Sequence, residues 1–283
     1  MKRIVVCDSG LGGLNIAARF FSGRGGAAAP ECELVYFNAY PEPGRGFNKL
    51  ASEREQEDLF RHVLEGIGRF APDLCLIACN TLSIVWERLK SRYVPGFPVA
   101  GIVDAAAEGM AAALRKEPGA SLLILGTKST AASGMYPERL AAAGIAPGRI
   151  RSLGVPGLAT LLESDPAAPE VRARIAACAA DAEGLFAPPP AKLLLGLCCT
   201  HFGFAAPLWR AEFGRRFSGV ELVDPNGLLG AEYAARKFSY HSRIAFFAGA
   251  REHMSAYFES FAPEIAAALR TARPEPDLFE IDV

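Results

Sequence analysis

No uncharged stretch of this 283-residue chain approaches the roughly 20 apolar residues that cross a bilayer. Net charge is nearly absent as well: 30 Lys and Arg against 31 Asp and Glu leave −1, which gives no general attraction to nucleic acid or to an anionic membrane. Histidine is scarce, only four (His62, His201, His241, His253), none at zinc-ligand spacing from a cysteine, and no C-x-x-C pair occurs, so no metal site is expected. The dinucleotide fingerprint is missing too. DSGLGGLN (8–15) spaces its glycines G-x-G-G rather than G-x-G-x-x-G, which disfavours a nicotinamide enzyme. The apolar run in MKRIVVCDSG breaks at Asp8 and Gly10, short of a signal-peptide core, so the expected compartment is the cytoplasm. There, seven cysteines, an odd number, read as thiols and not as a disulfide framework. A small-molecule partner remains open.

What is present is a repeated unit: a short β-prone run, a turn rich in Gly, Ser, Thr or Asn, then a segment with helical periodicity. It occurs at 3–21, 33–70, 73–90, 99–116, 121–144 and 191–213. Alternation of this kind predicts an α/β fold of mainly parallel sheets flanked by helices, with ligands at the carboxyl ends of the strands. VPGFP (94–98) and FAPPPAK (186–192) are the richest turn-formers; FAPPP only separates a helix from the next strand, while a boundary near VPGFP divides the repeated units into an early and a later set, and the pattern alone leaves the tail open to either. After Asp224 the tail reads as a helix (227–238), a short strand (243–250) and a final helix (253–270).

Two strand endings match. DLCLIACNT (73–81) and LLLGLCCTH (193–201) each end an apolar run in a cysteine followed by small polar residues. At a strand end leading into a helix, the helix N-terminus favours a thiolate, so Cys79 and Cys199 could act as bases. Placed on two sides of one carbon, they could take a proton from one face and return one to the other. The alternative is plain packing, since cysteine is among the residues most often buried. Cys198 is the weaker of the adjacent pair because neighbouring strand residues face opposite ways. Cys7, Cys32, Cys75 and Cys178 read as packing. Asp8 and Ser9 end the first strand; they could meet a substrate ammonium or simply cap the next helix.

In order along nearly the whole chain, DSGLGG, ACNT, LGTKSTAASGMY, VPGLATLLE, LCCTHF and LVDPNG resemble the motifs of the glutamate racemases, of the cofactor-independent aspartate/glutamate racemase superfamily. The resemblance implies two similar α/β domains with the active site in the cleft between them and the tail returning to the first, which gives 1–98 with 214–283 as one domain and 99–213 as the other. It makes Cys79 and Cys199 the two acid/base residues, with Asp8, His201 and Glu163 assisting. It makes Ser9, Gly46, Asn80, Thr81, Thr127 and Thr200 contacts of an amino-acid substrate, and implies no cofactor. A homodimer and a monomer both stay open. The family usually carries D-T-x-x-x-P-Y-G after its second strand; here NAYPEPGRGFNK (38–49) puts Ala39-Tyr40 for Asp-Thr and Arg45 for Tyr, and position 128 is Lys where a small residue is more usual. Arg45 is either a solvated loop charge or a carboxylate clamp. The expected activity is inversion of glutamate, supplying the D-isomer for peptidoglycan. The competing expectations are the same chemistry on aspartate, a hydantoin or another acidic compound, and a binding or regulatory protein that has lost turnover.

Overall fold

The computed structural model describes residues 1–21, 29–40, 45–230, 232–242 and 278–282, with isolated positions between 255 and 267. The chain divides into two compact units, Met1–Ile102 with Leu229–Val283, and Val103–Leu228.

The first unit runs β1 (Lys2–Asp8), α1 (Leu14–Arg19), β2 (Glu31–Asn38), α2 (Glu53–Gly68), β3 (Leu74–Ile77), α3 (Asn80–Leu89) and β4 (Val99–Gly101). The second holds nearly all of α4 (Ile102–Lys116), then β5 (Ala120–Gly126), α5 (Lys128–Ala132), α6 (Met135–Ala142), β6 (Ile150–Gly154), α7 (Leu158–Ser164), α8 (Pro169–Glu183), β7 (Lys192–Cys198), α9 (Ala206–Gly214) and β8 (Val220–Val223). The chain then returns to the first unit as β9 (Ala234–Ser242) and β10 (Leu278–Asp282). One sheet has the order β10-β9-β2-β1-β3-β4, the other β6-β5-β7-β8. Every pairing is parallel except β9 with β10, as the alternation of strands and helices predicts.

The helices follow from their sequences. Ser52 caps α2, its hydroxyl accepting from the Glu55 N–H at 3.1 Å, with Glu53 and Glu55 in the positive first turn. Phe60, Val63, Leu64 and Ile67 then recur at helical spacing and bury against Val5, Cys7, Val35, Phe37, Cys75 and Ile77 of the sheet. Removing the Leu64 side chain from this layer would cost about 2–5 kcal/mol. In the second unit, Leu193, Leu195 and Leu197 of β7 face Leu158, Val171, Ile175, Trp209 and Phe213 of the covering helices. Leu122 and Leu194 are also fully buried, which is why these strands read as unbroken apolar runs.

Both domain boundaries differ from expectation. β4 pairs in parallel with β3, so the first division falls after it, at Ile102, and not before it at VPGFP. Residues 214–228, expected in the first domain, run in the second unit because β8 pairs with β7. The helix expected over 227–238 is also overturned: β9 occupies its second half, paired with β2. Tertiary pairing has overridden the helical preference of its Ala, Arg and Lys. The expected strand at 243–250 lies outside the described residues, and the helix over 253–270 lies largely outside them. No helix among the described residues is long and apolar enough to cross a membrane.

Candidate active site

In the first unit, the cluster forms where β1 and β3 end side by side. The parallel ladder continues one residue past β3, with the Ala78 N–H donating to the Cys7 carbonyl at 2.9 Å. That places Cys79 at the N-cap of α3, its Sγ accepting from the Leu82 N–H at 3.5 Å, with 7% of the residue exposed. A sulfur there accepts from a first-turn amide and lies at the positive end of a ten-residue helix, where negative charge is favoured.

Ser9, the residue after β1, lies with Oγ 3.1 Å from the Cys79 Sγ. Neither Ser9 nor Asp8 caps α1: its N-cap is Gly13, with no side-chain cap bond. The capping alternative is thereby removed. Asp8 is 1% exposed and packs against that same glycine: a Cβ at Gly13 would lie 2.7 Å from the Asp8 Cβ and 2.8 Å from its Oδ2. Only glycine lets α1 start this close to the carboxylate. Asn80 and Thr81, in the first turn of α3, are buried beside Cys79 in the chain.

Cys7 and Cys75 lie in the layer beneath. Burial raises both thiols, the latter to about 12, and Cys32 likewise reaches about 12, as packing residues should.

In the second unit, β5 and β7 end together, Gly126 opposite Cys198. A Cβ on Gly126 would lie 2.8 Å from the Thr130 Cγ2 and 3.2 Å from the Cys198 carbonyl oxygen, so glycine here lets α5 close onto the strand ends. Thr127 caps α5, its Oγ1 accepting from the Thr130 N–H at 3.2 Å. Cys199 and Thr200 come directly after β7 and are buried. The turn that carries them is tied by Phe202 N–H to the Cys199 carbonyl at 3.1 Å and by the Trp209 indole N–H to the Phe202 carbonyl at 3.0 Å.

This turn presents His201 with Nδ1 3.9 Å from the Cys199 Sγ and Nε2 2.6 Å from the Glu163 Oε2. Glu163 stands on α7, whose Leu158 and Leu162 anchor it in the core. Burial by itself would lower the imidazole, but the contacts with Cys199 and Glu163 hold it well above its ordinary 6.5. With a carboxylate on Nε2, the Nε2 proton is fixed, and Nδ1 either accepts from the thiol or, once protonated, donates to the thiolate. Cys198 is fully buried and its thiol is raised mainly by desolvation, so it stays a packing group.

The expected residues thus fall into two clusters, Asp8, Ser9, Cys79, Asn80 and Thr81 in one unit and Thr127, Glu163, Cys199, Thr200 and His201 in the other. Arg45 and Gly46 lie beyond the end of β2. The Arg45 guanidinium is engaged by the Glu55 Oε1 at 2.8 Å with both side chains substantially exposed, as a solvated loop charge is. A buried network escaped sequence reasoning: the Asn38 amide donates to the Tyr240 hydroxyl at 3.0 Å, Tyr240 stacks on Tyr36, and the Tyr36 hydroxyl donates to the Gly10 carbonyl at 2.7 Å. It braces the turns after β1 and β2 from below, and contacts 202 residues apart leave no local signal. Among the described residues no group of three or more His, Cys, Asp or Glu could hold a metal ion.

Residues 26–229 match the model of the Asp/Glu/hydantoin racemase family. The glutamate racemase of Sphingopyxis alaskensis is 32% identical over 245 residues, covering 84% of this chain and 81% of its own. The glutamate racemase of Mesorhizobium japonicum is 32% identical over 217 residues, covering 71% and 72%. In fold, the chain is similar to the crystal structure of the Campylobacter jejuni glutamate racemase, with a TM-score of 0.66 at 20% identity, covering 96% of this chain and 99% of that one.

Proposed function

This chain belongs to the Asp/Glu/hydantoin racemase family, and from that premise we propose that it interconverts L- and D-glutamate by proton transfer between two cysteines. The observation that carries the proposal is the pair of strand-end thiols, each with a hydrogen-bonding partner suited to moving a proton: Ser9 at 3.1 Å from Cys79, and the His201–Glu163 pair at Cys199. A thiol used only for packing needs neither.

One thiolate takes the α-hydrogen as a proton and becomes a thiol, leaving the electron pair on the α-carbon. The other thiol gives its proton to the opposite face and becomes the thiolate. Charge is conserved, and the enzyme is left in the mirror protonation state, which exchange with water resets. The α-proton is far less acidic than a thiol, so donors aimed at the substrate carboxylate must stabilise the carbanion; Asn80, Thr81, Thr127 and Thr200 are suited to that role. His201 holds its proton toward the Cys199 thiolate and accepts it from the thiol, with Glu163 fixing the ring.

The relatives named glutamate racemase favour glutamate as substrate. D-glutamate for peptidoglycan, made in the cytoplasm, is the physiological role within the same proposal, and light scattering decides between monomer and homodimer. The altered segment at 38–49 supports a second reading, the same chemistry on aspartate or another acidic compound.

The test is NMR of the α-proton in D2O with L- and D-glutamate, then aspartate and hydantoins. Exchange with inversion of glutamate is expected. Exchange confined to another compound would move the substrate, and none on any compound would overturn the racemase reading.

A further inference from the structure

Three strand ends of the first unit form a row with β1 in the middle. The Ala39 N–H donates to the Asp8 carbonyl at 2.7 Å on one side, and the Ala78 N–H to the Cys7 carbonyl at 2.9 Å on the other. Each neighbouring chain therefore stays in register for one residue beyond its strand. The next residues, Tyr40 and Cys79, leave the sheet on opposite sides of Ser9. At about 4.8 Å per strand, their backbones stand about 10 Å apart across the row, a span suited to a short amino acid.

Tyr40 is held firmly. Its N–H donates to the Asn38 Oδ1 at 3.0 Å, and Asn38 is itself anchored through Tyr240 and Tyr36 to the turn after β1. Its ring lies on Gly46: a Cβ built there would be 3.5 Å from the Tyr40 Cε2 and 3.6 Å from its hydroxyl oxygen. The Arg45 guanidinium is engaged by Glu55.

We propose that Tyr40, and not Arg45, is the specificity-determining residue of the segment after β2, its phenol hydroxyl donating to the side-chain carboxylate of an acidic amino acid whose α-carbon lies at Cys79. This rests on the racemase reading for the identity of the ligand. The row supplies both ends of the recognition: a thiol at the α-carbon, and a neutral, pre-organised donor for the distal carboxylate. A neutral donor does not neutralise the carboxylate but rewards its geometry.

The test compares wild type with Tyr40→Phe on glutamate, on norvaline, which lacks the side-chain carboxylate, and on glutarate binding by calorimetry. Loss of a hydrogen bond to a charged group predicts a rise in KM for glutamate, and in Kd for glutarate, of about tenfold or more. The kcat should stay within about twofold and norvaline should bind equally weakly to both, because a uniform binding contact acts on KM. An unchanged KM and Kd would remove Tyr40 from recognition; equal losses on glutamate and norvaline would make it a structural residue and overturn the proposal. If wild type inverts nothing yet binds glutarate more tightly than Tyr40→Phe does, the carboxylate contact stands and the racemase reading falls. Glutarate binding to neither protein would overturn the contact whatever the turnover.

Discussion

The two thiols leave their sheets in different company. Cys79 sits at the start of a ten-residue helix, its sulfur accepting an amide hydrogen bond and touching a neutral hydroxyl. Cys199 enters a short turn and relies on an imidazole backed by a carboxylate. The strand end decides where each sulfur stands; the residues on its C-terminal side decide how its charge is stabilised. Fixed dipoles serve one thiol, and a titrating group serves the other. The first device is nearly indifferent to pH across the neutral range, and the second is not.

The bluntest way to break the comparison is to remove either sulfur. Cys79→Ser and Cys199→Ser should each lower inversion by at least about 10²–10⁴-fold, the span of one general acid or base, as read by circular dichroism of the substrate. Exchange of the α-proton should survive in each variant for only one enantiomer, a different one in the two variants. Survival for the same enantiomer in both would end the assignment of one thiol per face.

Glu163→Gln strikes the titrating side alone. Inversion should fall about tenfold to a hundredfold from either enantiomer, since mirror-image substrates have equal free energy and His201 loses the carboxylate that keeps its proton. Exchange without inversion should persist for the enantiomer whose α-hydrogen faces Cys79, and mass spectrometry of deuterium incorporation reads the ratio.

Ser9→Ala should be milder, about twofold to tenfold, the worth of one neutral hydrogen bond, with the persistence of exchange passing to the other enantiomer. A loss as large as that of Glu163→Gln would erase the difference between the two sides.

The smallest effect is on stability. His201 has a folded-state value well above the ordinary 6.5, so its proton stabilises the fold fully below about 6.5. That contribution is lost as pH rises from there through the raised value. Urea midpoints across that window should fall with rising pH in wild type, and the slope should flatten in His201→Asn. An equal slope in both would assign the linkage to another group.

The alternation of strand and helix, the parallel sheets and the position of both cysteines at strand ends were legible because periodicity and turn chemistry are local. The boundaries were not: VPGFP is a true turn, but whether the strand after it joins the first or second sheet is settled by pairing with β3. The Ala, Arg and Lys of β9 read as helix because nothing nearby announces β2 as their neighbour. At the site, Ser9 and Cys79 were legible as candidates but not as partners, since 70 residues separate them. Glu163 entered only through resemblance, and its contact with His201 needs the packing of α7. Tyr40 showed only as a departure from the family pattern.

The return of the chain to its first sheet has a consequence for synthesis. Asn38 of β2 and Tyr240 of β9 are hydrogen-bonded although 202 residues separate them. At about 5–20 residues per second, a ribosome leaves the outer edge of β2 without its neighbour for roughly 10–40 s. The second unit, one continuous segment, can be complete before the first is closed. During that interval an open row of backbone donors and acceptors faces solvent or a chaperone, and nascent-chain yield should depend on how fast the residues from β9 onward emerge.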